Sequence, residues 1–275
     1  MDLNLEQLVK QAQAGDKSAL EHVVEQIQNK IYGLALRMLW HPEDARDATQ
    51  EILIRVITHL GTFKGKSKFT TWLYKVAANY LLTARKSRLE AQQYTFERFG
   101  RELDEGLSDA PIQNESDLDE ALLLEEIKIG CTQGMLLCLG RAHRLAYILG
   151  EILELESPEA AAILEIKPAT FRKQLSRARA EIVSFTRMKC GLVNPQNKCR
   201  CRRRVNHALQ MGRVDPRHLL FAHDIERARR FPEILREIRR LEEAQRAVAL
   251  YRSHPAPAVA ESFVAMVRDL LEKQN

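Results

Sequence analysis

Between residues 41 and 88 one unbroken stretch supplies a helix with a compact polar face and then a second helix that is both basic and aromatic. Pro42 suits a first helical turn, Glu43, Asp44 and Asp47 favour its positive end, and Ala45, Ala48, Ile52, Val56 and Leu60 recur at steps of three and four. Off that apolar stripe, Asp47, Gln50, Glu51 and Arg55 fall close together. Taken alone, such a patch is most often a solvated face with intrahelical ion pairs. The following segment weakens that reading. Ser67 offers an N-cap, and Phe69, Trp72, Leu73, Val76, Ala77, Tyr80 and Leu81 recur at helical spacing, predicting a largely buried stripe. Lys64, Lys66, Lys68, Lys75, Arg85, Lys86 and Arg88 surround it with positive charge, while Thr70, Thr71, Tyr74 and Asn79 add polar and aromatic groups off the stripe. Cations follow phosphates and rings hold unstacked bases, so this combination suits a single nucleic-acid strand.

A second pattern begins at Ala142: a helix from His143 to Leu153, a turn, a short helix opened by Ser157 and Pro158, a turn over Glu165–Pro168, and a basic helix from Ala169. That order predicts a helix-turn-helix. The last helix is expected to bury Phe171, Leu175, Ala178 and Ile182 and to leave its cations outside. A recognition helix sets its N-terminal residues on base edges and its flanking cations on phosphates, which makes Thr170, Arg172, Lys173, Ser176, Arg177 and Arg179 the candidate contacts to upstream duplex DNA. An ordinary cationic amphipathic helix is the plainer alternative.

The run Pro42-Glu-Asp-Ala-Arg-Asp-Ala-Thr-Gln-Glu51, the Phe63-x-Gly65-x-Ser67-x-Phe69-x-Thr71-Trp72-Leu73 segment and the following Ala77-Ala78-Asn79 resemble the second conserved region of bacterial sigma factors of the extracytoplasmic-function group. The resemblance implies that Asp47, Gln50 and Glu51, with Arg55 as an addition, dock on the β′ clamp helices of core RNA polymerase. It also implies that the Phe63–Asn79 segment melts the minus-ten promoter element and captures a flipped base, with Lys64, Lys66, Lys68, Thr70, Thr71, Trp72, Tyr74, Lys75 and Asn79 as its candidate contacts. The helix-turn-helix resembles the fourth region of the same group, which implies recognition of the minus-thirty-five element and contact with the β flap. Glu151–Glu156 lacks the glycine usual there, and Ala160-Ala161-Ala162 replaces the usual Glu-Ile-Ala, so the promoter sequence is not predictable from these residues.

Charge supports a nucleic-acid partner and is unevenly placed. The chain of 275 residues carries a formal net charge of +5, enough length for two or three small domains. Residues 102–128 hold ten acidic residues against Lys128, whereas residues 167–204 hold twelve Lys or Arg against Glu181. The acidic stretch, with Gly106, Ser108, Pro111 and Asn114, reads as a flexible linker that shields the flanking modules from DNA. Strand alternation is weak, and glycine and proline sit at helix ends. The expected fold is therefore all-α: residues 1–90 form a region-2-like domain, 91–128 the linker, 129–187 the region-4-like helix-turn-helix domain, and 188–275 a cysteine-containing loop with a helical extension.

In that extension, Cys190, Cys199 and Cys201 lie in a Gly/Asn/Pro-rich loop with His207 close behind. Together they would make a Cys₃His set for zinc, although the Cys-x-Cys end fits structural zinc spacing poorly; copper(I) tolerates such thiolates better. Free thiols in a reducing compartment are the commoner outcome, and a disulfide switch is a third reading. Some family members carry metal-sensing cysteine extensions, so the resemblance adds a gating role for the loop. No cofactor is otherwise required. Cys131 and Cys138, on an apolar helical stretch, read as core packing.

Eight dispersed histidines and no nucleophile in a recognisable motif argue against an enzyme. No apolar run has membrane-spanning length and no leader precedes the first helix, so a cytoplasmic protein without membrane insertion is expected. The expected function is a sigma factor whose partners are core RNA polymerase, promoter DNA and an anti-sigma factor. The alternative is a stand-alone helix-turn-helix regulator using its C-terminal helices for sensing or dimerisation, which leaves the polar face of Asp47, Gln50 and Glu51 without a task.

Overall fold

A computed structural model describes residues 3–84, 94–113 and 118–272, and Arg85, Lys86 and Arg88 of the basic segment lie outside these. The described residues are helical and carry no β-strand; only isolated bridges join Cys190 to Cys199 and Asp215 to His218. The chain divides into two compact units: residues 1–87, 148–173 and 256–275 form the first, and 88–147 with 174–255 the second.

The first unit is built on α1 (Leu3–Gln13), α2 (Lys17–Leu39), α3 (Pro42–His59) and α4 (Phe69–Thr83). Asp16 caps α2 by accepting from the Ala19 amide, and Leu20, Val23, Val24, Ile27, Ile31, Leu34 and Met38 bury one face of it. In α3 the expected stripe of Ala45, Ala48, Ile52, Val56 and Leu60 is buried. Ile52, Val56 and Leu60 each contribute on the order of 1.5–3 kcal/mol by leaving water, the two alanines less. The start of α4 differs from expectation. Lys68, not Ser67, occupies the N-cap and makes no side-chain cap; the Phe69 amide is instead bound at 2.6 Å by the Glu6 carboxylate of α1. Phe69, Leu73, Ala77, Ala78 and Leu81 are buried, whereas Trp72, Val76 and Tyr80 are half-buried.

The helix-turn-helix region follows α7 (Arg141–Tyr147), which gives way to a π-type turn over Ile148–Ile152 instead of continuing as one helix. Glu154 takes a left-handed φ of 55°, a conformation that glycine adopts freely. Then come α8 (Ser157–Ile163), capped in position by Glu156 and not Ser157, and α9 (Pro168–Lys189). Phe171, Ala178 and Ile182 of α9 are buried as expected, and Leu175 only partly.

The second unit gathers around α6 (Glu120–Cys138). Its stretch expected to be a linker contains α5 (Phe96–Glu105), capped by Thr95 and buried through Phe99 and Leu103. Phe96 and Phe99 pack on Phe185 at ring-centroid distances of 5.1 and 5.6 Å. From the extension, α10 (Cys201–Gln210), α11 (Ile225–Arg240) and α12 (Glu243–Arg252) pack on α6. One cluster joins Leu123 and Ile127 to Val205, Ala208 and Val214, and another joins Leu192 and Val193 to Ile238 and Leu250. The acidic stretch finds its counter-charges within this unit: Asp104 pairs with Lys189, Asp109 with Arg203, Asp119 with Arg229, Glu120 with Arg202 and Glu102 with Arg213. The first unit's last element is α13 (Val264–Glu272).

Candidate functional site

Pro42 and the His41 cap fix the start of α3, and burial of its apolar stripe fixes its rotation. The opposite face then presents Asp47, Gln50, Glu51 and Arg55, all exposed, as one contiguous patch. The Arg55 guanidinium lies 4.9 Å from the centre of the Tyr80 ring on α4. Partial burial of Tyr80 raises its hydroxyl pKa, and the carboxylates of Glu51 and Asp47 add to that rise. The polar face of α3 therefore continues onto α4.

Before α4, Lys64, Lys66 and Lys68 are exposed in a loop whose turn is made by Gly65 at φ 67°. Trp72 packs with Phe63 and Phe69, both at 5.6 Å, in an aromatic cluster at the same end. Thr70 and Tyr74 are half-buried, and burial pushes the Tyr74 hydroxyl up. Thr71, Lys75 and Asn79, spaced one turn apart, form a single line along α4. Each is held by a carboxylate from the helix-turn-helix segment: Thr71 Oγ1 donates to Glu159 at 2.8 Å, Lys75 pairs with Glu165 at 2.9 Å, and Asn79 Nδ2 donates to Glu165 at 3.3 Å. Those contacts with Lys75 and Asn79 lower the pKa of Glu165. Glu165 reaches this place from a left-handed φ of 55° at the turn after α8. Sequence periodicity puts Thr71, Lys75 and Asn79 off the apolar stripe of α4, but nothing local to them announces the two carboxylates.

On α9, Thr170, Arg172, Lys173, Ser176, Arg177 and Arg179 are all exposed. Placing Phe171, Ala178 and Ile182 inside leaves these residues as a cationic outer surface with two hydroxyls.

The expected cysteine site is only partly assembled. Cys190 and Cys199 bridge through their backbones, and Cys190 and Cys201 pack against the same apolar cluster. His207 is elsewhere: it lies beside Gly106, and Arg204 and Glu105 are its charged neighbours. Its place on α10 follows from the helical register, in which Val205 and Ala208 take the buried positions. Cys131 of α6 is a further buried thiol, whose pKa is raised first by burial and then by the charges of Cys199, Cys190 and Cys201. Burial is the largest cause raising all four thiols, with Cys199 pushed up to about 11. The Cys190 sulfur also accepts the Val193 and Leu192 amides. Among the described residues no group of three or more His, Cys, Asp or Glu side chains is disposed to hold a metal ion, so the arrangement does not fit the Cys₃His centre.

A family model described as sigma-70 region 2 matches residues 23–89, which run from within α2 through α3 and α4. The chain is 33% identical over 180 residues to the RNA polymerase sigma-H factor of Pseudomonas aeruginosa, covering 64% of this chain and 91% of that protein. It is 29% identical to the ECF RNA polymerase sigma factor SigW of Bacillus subtilis, covering 65% of this chain and 95% of the other. A solved structure of sigma factor RpoE in complex with the anti-sigma factor NepR from Bartonella quintana aligns at 19% identity and a TM-score of 0.40, over 60% of this chain and 95% of that one.

Proposed function

Because the chain belongs to the bacterial RNA polymerase sigma factors of the extracytoplasmic-function group, we propose that it works through three surfaces: the α3 patch on core polymerase, the α4 line on the minus-ten strand and the α9 face on upstream duplex. It binds core RNA polymerase and directs promoter-specific initiation. The observation that supports the division of labour is the continuity of the exposed Asp47, Gln50, Glu51 and Arg55 patch with α4, made where the Arg55 guanidinium lies over the Tyr80 ring near the end of that helix. Polymerase can thereby be held next to the strand being opened. Lys64, Lys66, Lys68 and Lys75 follow the phosphates, while Trp72, Tyr74, Thr70, Thr71 and Asn79 supply the stacking and hydrogen-bonding groups that an unpaired base requires. On α9, Arg172, Lys173, Arg177 and Arg179 carry phosphate and base-edge contacts. None of these roles is catalytic, and they belong in the cytoplasm with polymerase and the genome.

Glu159 and Glu165 sit where DNA phosphates would be neutralised on α4, so strand capture requires α8 to withdraw from this face. The helix-turn-helix is thereby freed as the minus-ten surface opens. An anti-sigma partner acts by preserving such closed contacts. The stand-alone regulator uses only α9 and gives no task to α3.

The test separates the surfaces. Asp47→Ala with Gln50→Ala should weaken capture of purified core polymerase at least tenfold while leaving duplex binding intact. Arg172→Ala with Lys173→Ala should do the reverse. Equal loss of both activities in both variants would contradict the division of labour.

A further inference from the structure

The C-terminal segment lies along one face of α2 in an order that runs opposite to the helix. Pro257 covers Gly33, where an added Cβ would stand 3.5 Å from its Cγ. The Val259 amide donates to Asn29 Oδ1 at 3.0 Å. The Phe263 amide at 2.9 Å and the Ser262 hydroxyl at 3.2 Å both donate to Gln28 Oε1. Arg268 closes the series with a two-point contact to Glu21, at 3.0 and 2.7 Å. Phe263 is 5% and Val267 0% exposed, and α13 packs on α2.

Gln28 makes this a built site. It is a polar side chain only 6% exposed, and its carbonyl oxygen faces the tail's donors. A buried amide oxygen is costly without such donors, so the position is matched to the segment that covers it. The segment also reaches α3: Glu261 pairs with Arg46 at 2.7 Å. Arg46 immediately precedes Asp47 and lies one helical turn before Gln50, so the tail borders the docking patch.

We propose that residues 257–268 form an intramolecular strap whose release is required for core RNA polymerase to seat on the α2–α3 face. This rests on the reading of Asp47, Gln50 and Glu51 as the docking patch. The strap and polymerase compete for the neighbourhood of Arg46, and the fraction of chains with the strap displaced scales the apparent affinity. The carboxylate of Glu261 occupies Arg46, the residue adjoining Asp47 at the edge of the docking patch. The extension thus limits access to polymerase from within the same chain.

The experiment measures the dissociation constant of the full-length protein for purified core polymerase, together with hydrogen exchange of α2 amides in the free protein. The forms are the native chain, Phe263→Asp, Glu21→Arg, Arg268→Glu, and Glu21→Arg combined with Arg268→Glu. Phe263→Asp and each single charge reversal should bind core about tenfold tighter and exchange faster at residues 21–33, with the double reversal returning both readouts toward native. Faster exchange with unchanged affinity would overturn the competition, as would weaker core binding in Phe263→Asp. Unchanged exchange throughout would overturn the strap itself. Absence of core binding by the native chain would overturn the docking reading on which the strap rests, and exchange would still report the tail separately.

Discussion

Glu159 and Glu165 hold, side chain by side chain, the line of Thr71, Lys75 and Asn79, the surface proposed for a nucleic-acid strand. Their contacts are exposed or partly exposed, and the Lys75–Glu165 pair retains 41% and 54% of its side-chain surfaces. Exposed pairs of this kind are worth about 0–1 kcal/mol each. Replacing Glu159 and Glu165 by Gln should therefore tighten binding to a single-stranded minus-ten oligonucleotide by up to about fivefold, read by fluorescence anisotropy, with core binding unchanged. On α9, phosphate contact is the proposed role of the cations, and under it Arg172→Ala with Lys173→Ala should reduce the slope of log affinity against log salt by about two. An unchanged slope would move the phosphate contacts to other residues. The candidates on α3, α4 and α9 were legible because helical periodicity sorts residues into inside and outside. Their closure was not, since Glu159 and Glu165 are distant in sequence and carry no mark of their target.

Helices announced themselves where apolar spacing was regular and stayed hidden where charge dominated the composition. The stripe of Ala45, Ala48, Ile52 and Val56 makes α3 legible directly, whereas Phe96, Phe99 and Leu103 of α5 offer too short an apolar spacing, at the edge of an acidic run, to announce a helix. Caps followed the same division. Asp16 on α2 is local, but α4 takes its cap from Glu6 on another helix. Glu126 on α6 shows how a charged residue can be a docking point for an element: its carboxylate, 2% exposed, accepts the amides of Leu220, Phe221 and Ala222 at 2.8–2.9 Å. Burial still raises its pKa against the opposing pull of those three amides. Glu126→Ala leaves the amides without their acceptor and should destabilise the second unit by about 1–3 kcal/mol in urea unfolding, with faster exchange at residues 220–222. If stability and exchange were both unchanged, the loop would be held by its apolar contacts alone.

Across the whole chain, the extension is an integral packing layer of the second unit and, through its last residues, of the first. Its cysteines give a pH signature. Buried thiols are favoured in their neutral form, so their folded pKa values lie above those of the unfolded chain. The associated stability is complete below about pH 8.5, the range of an unfolded thiol, and is lost as pH rises toward and through the folded values. The urea midpoint should fall steeply above about pH 9, and Cys131→Ala with Cys201→Ala should flatten that fall. The three loop cysteines are legible in the sequence; the packing of Cys190 and Cys201 against Leu192, Val193, Ile238 and Leu250 is not, because it depends on helices distant in the chain. No helix among the described residues is long and apolar enough to cross a membrane. The central claim, that this chain directs initiation by core RNA polymerase, is tested most directly by in vitro transcription with purified core on a fragmented library of the host genome. Discrete start sites that require the chain, and that disappear with Asp47→Ala and Gln50→Ala, are the predicted result; no association with core and no chain-dependent start sites, despite retained duplex-DNA binding, would contradict it.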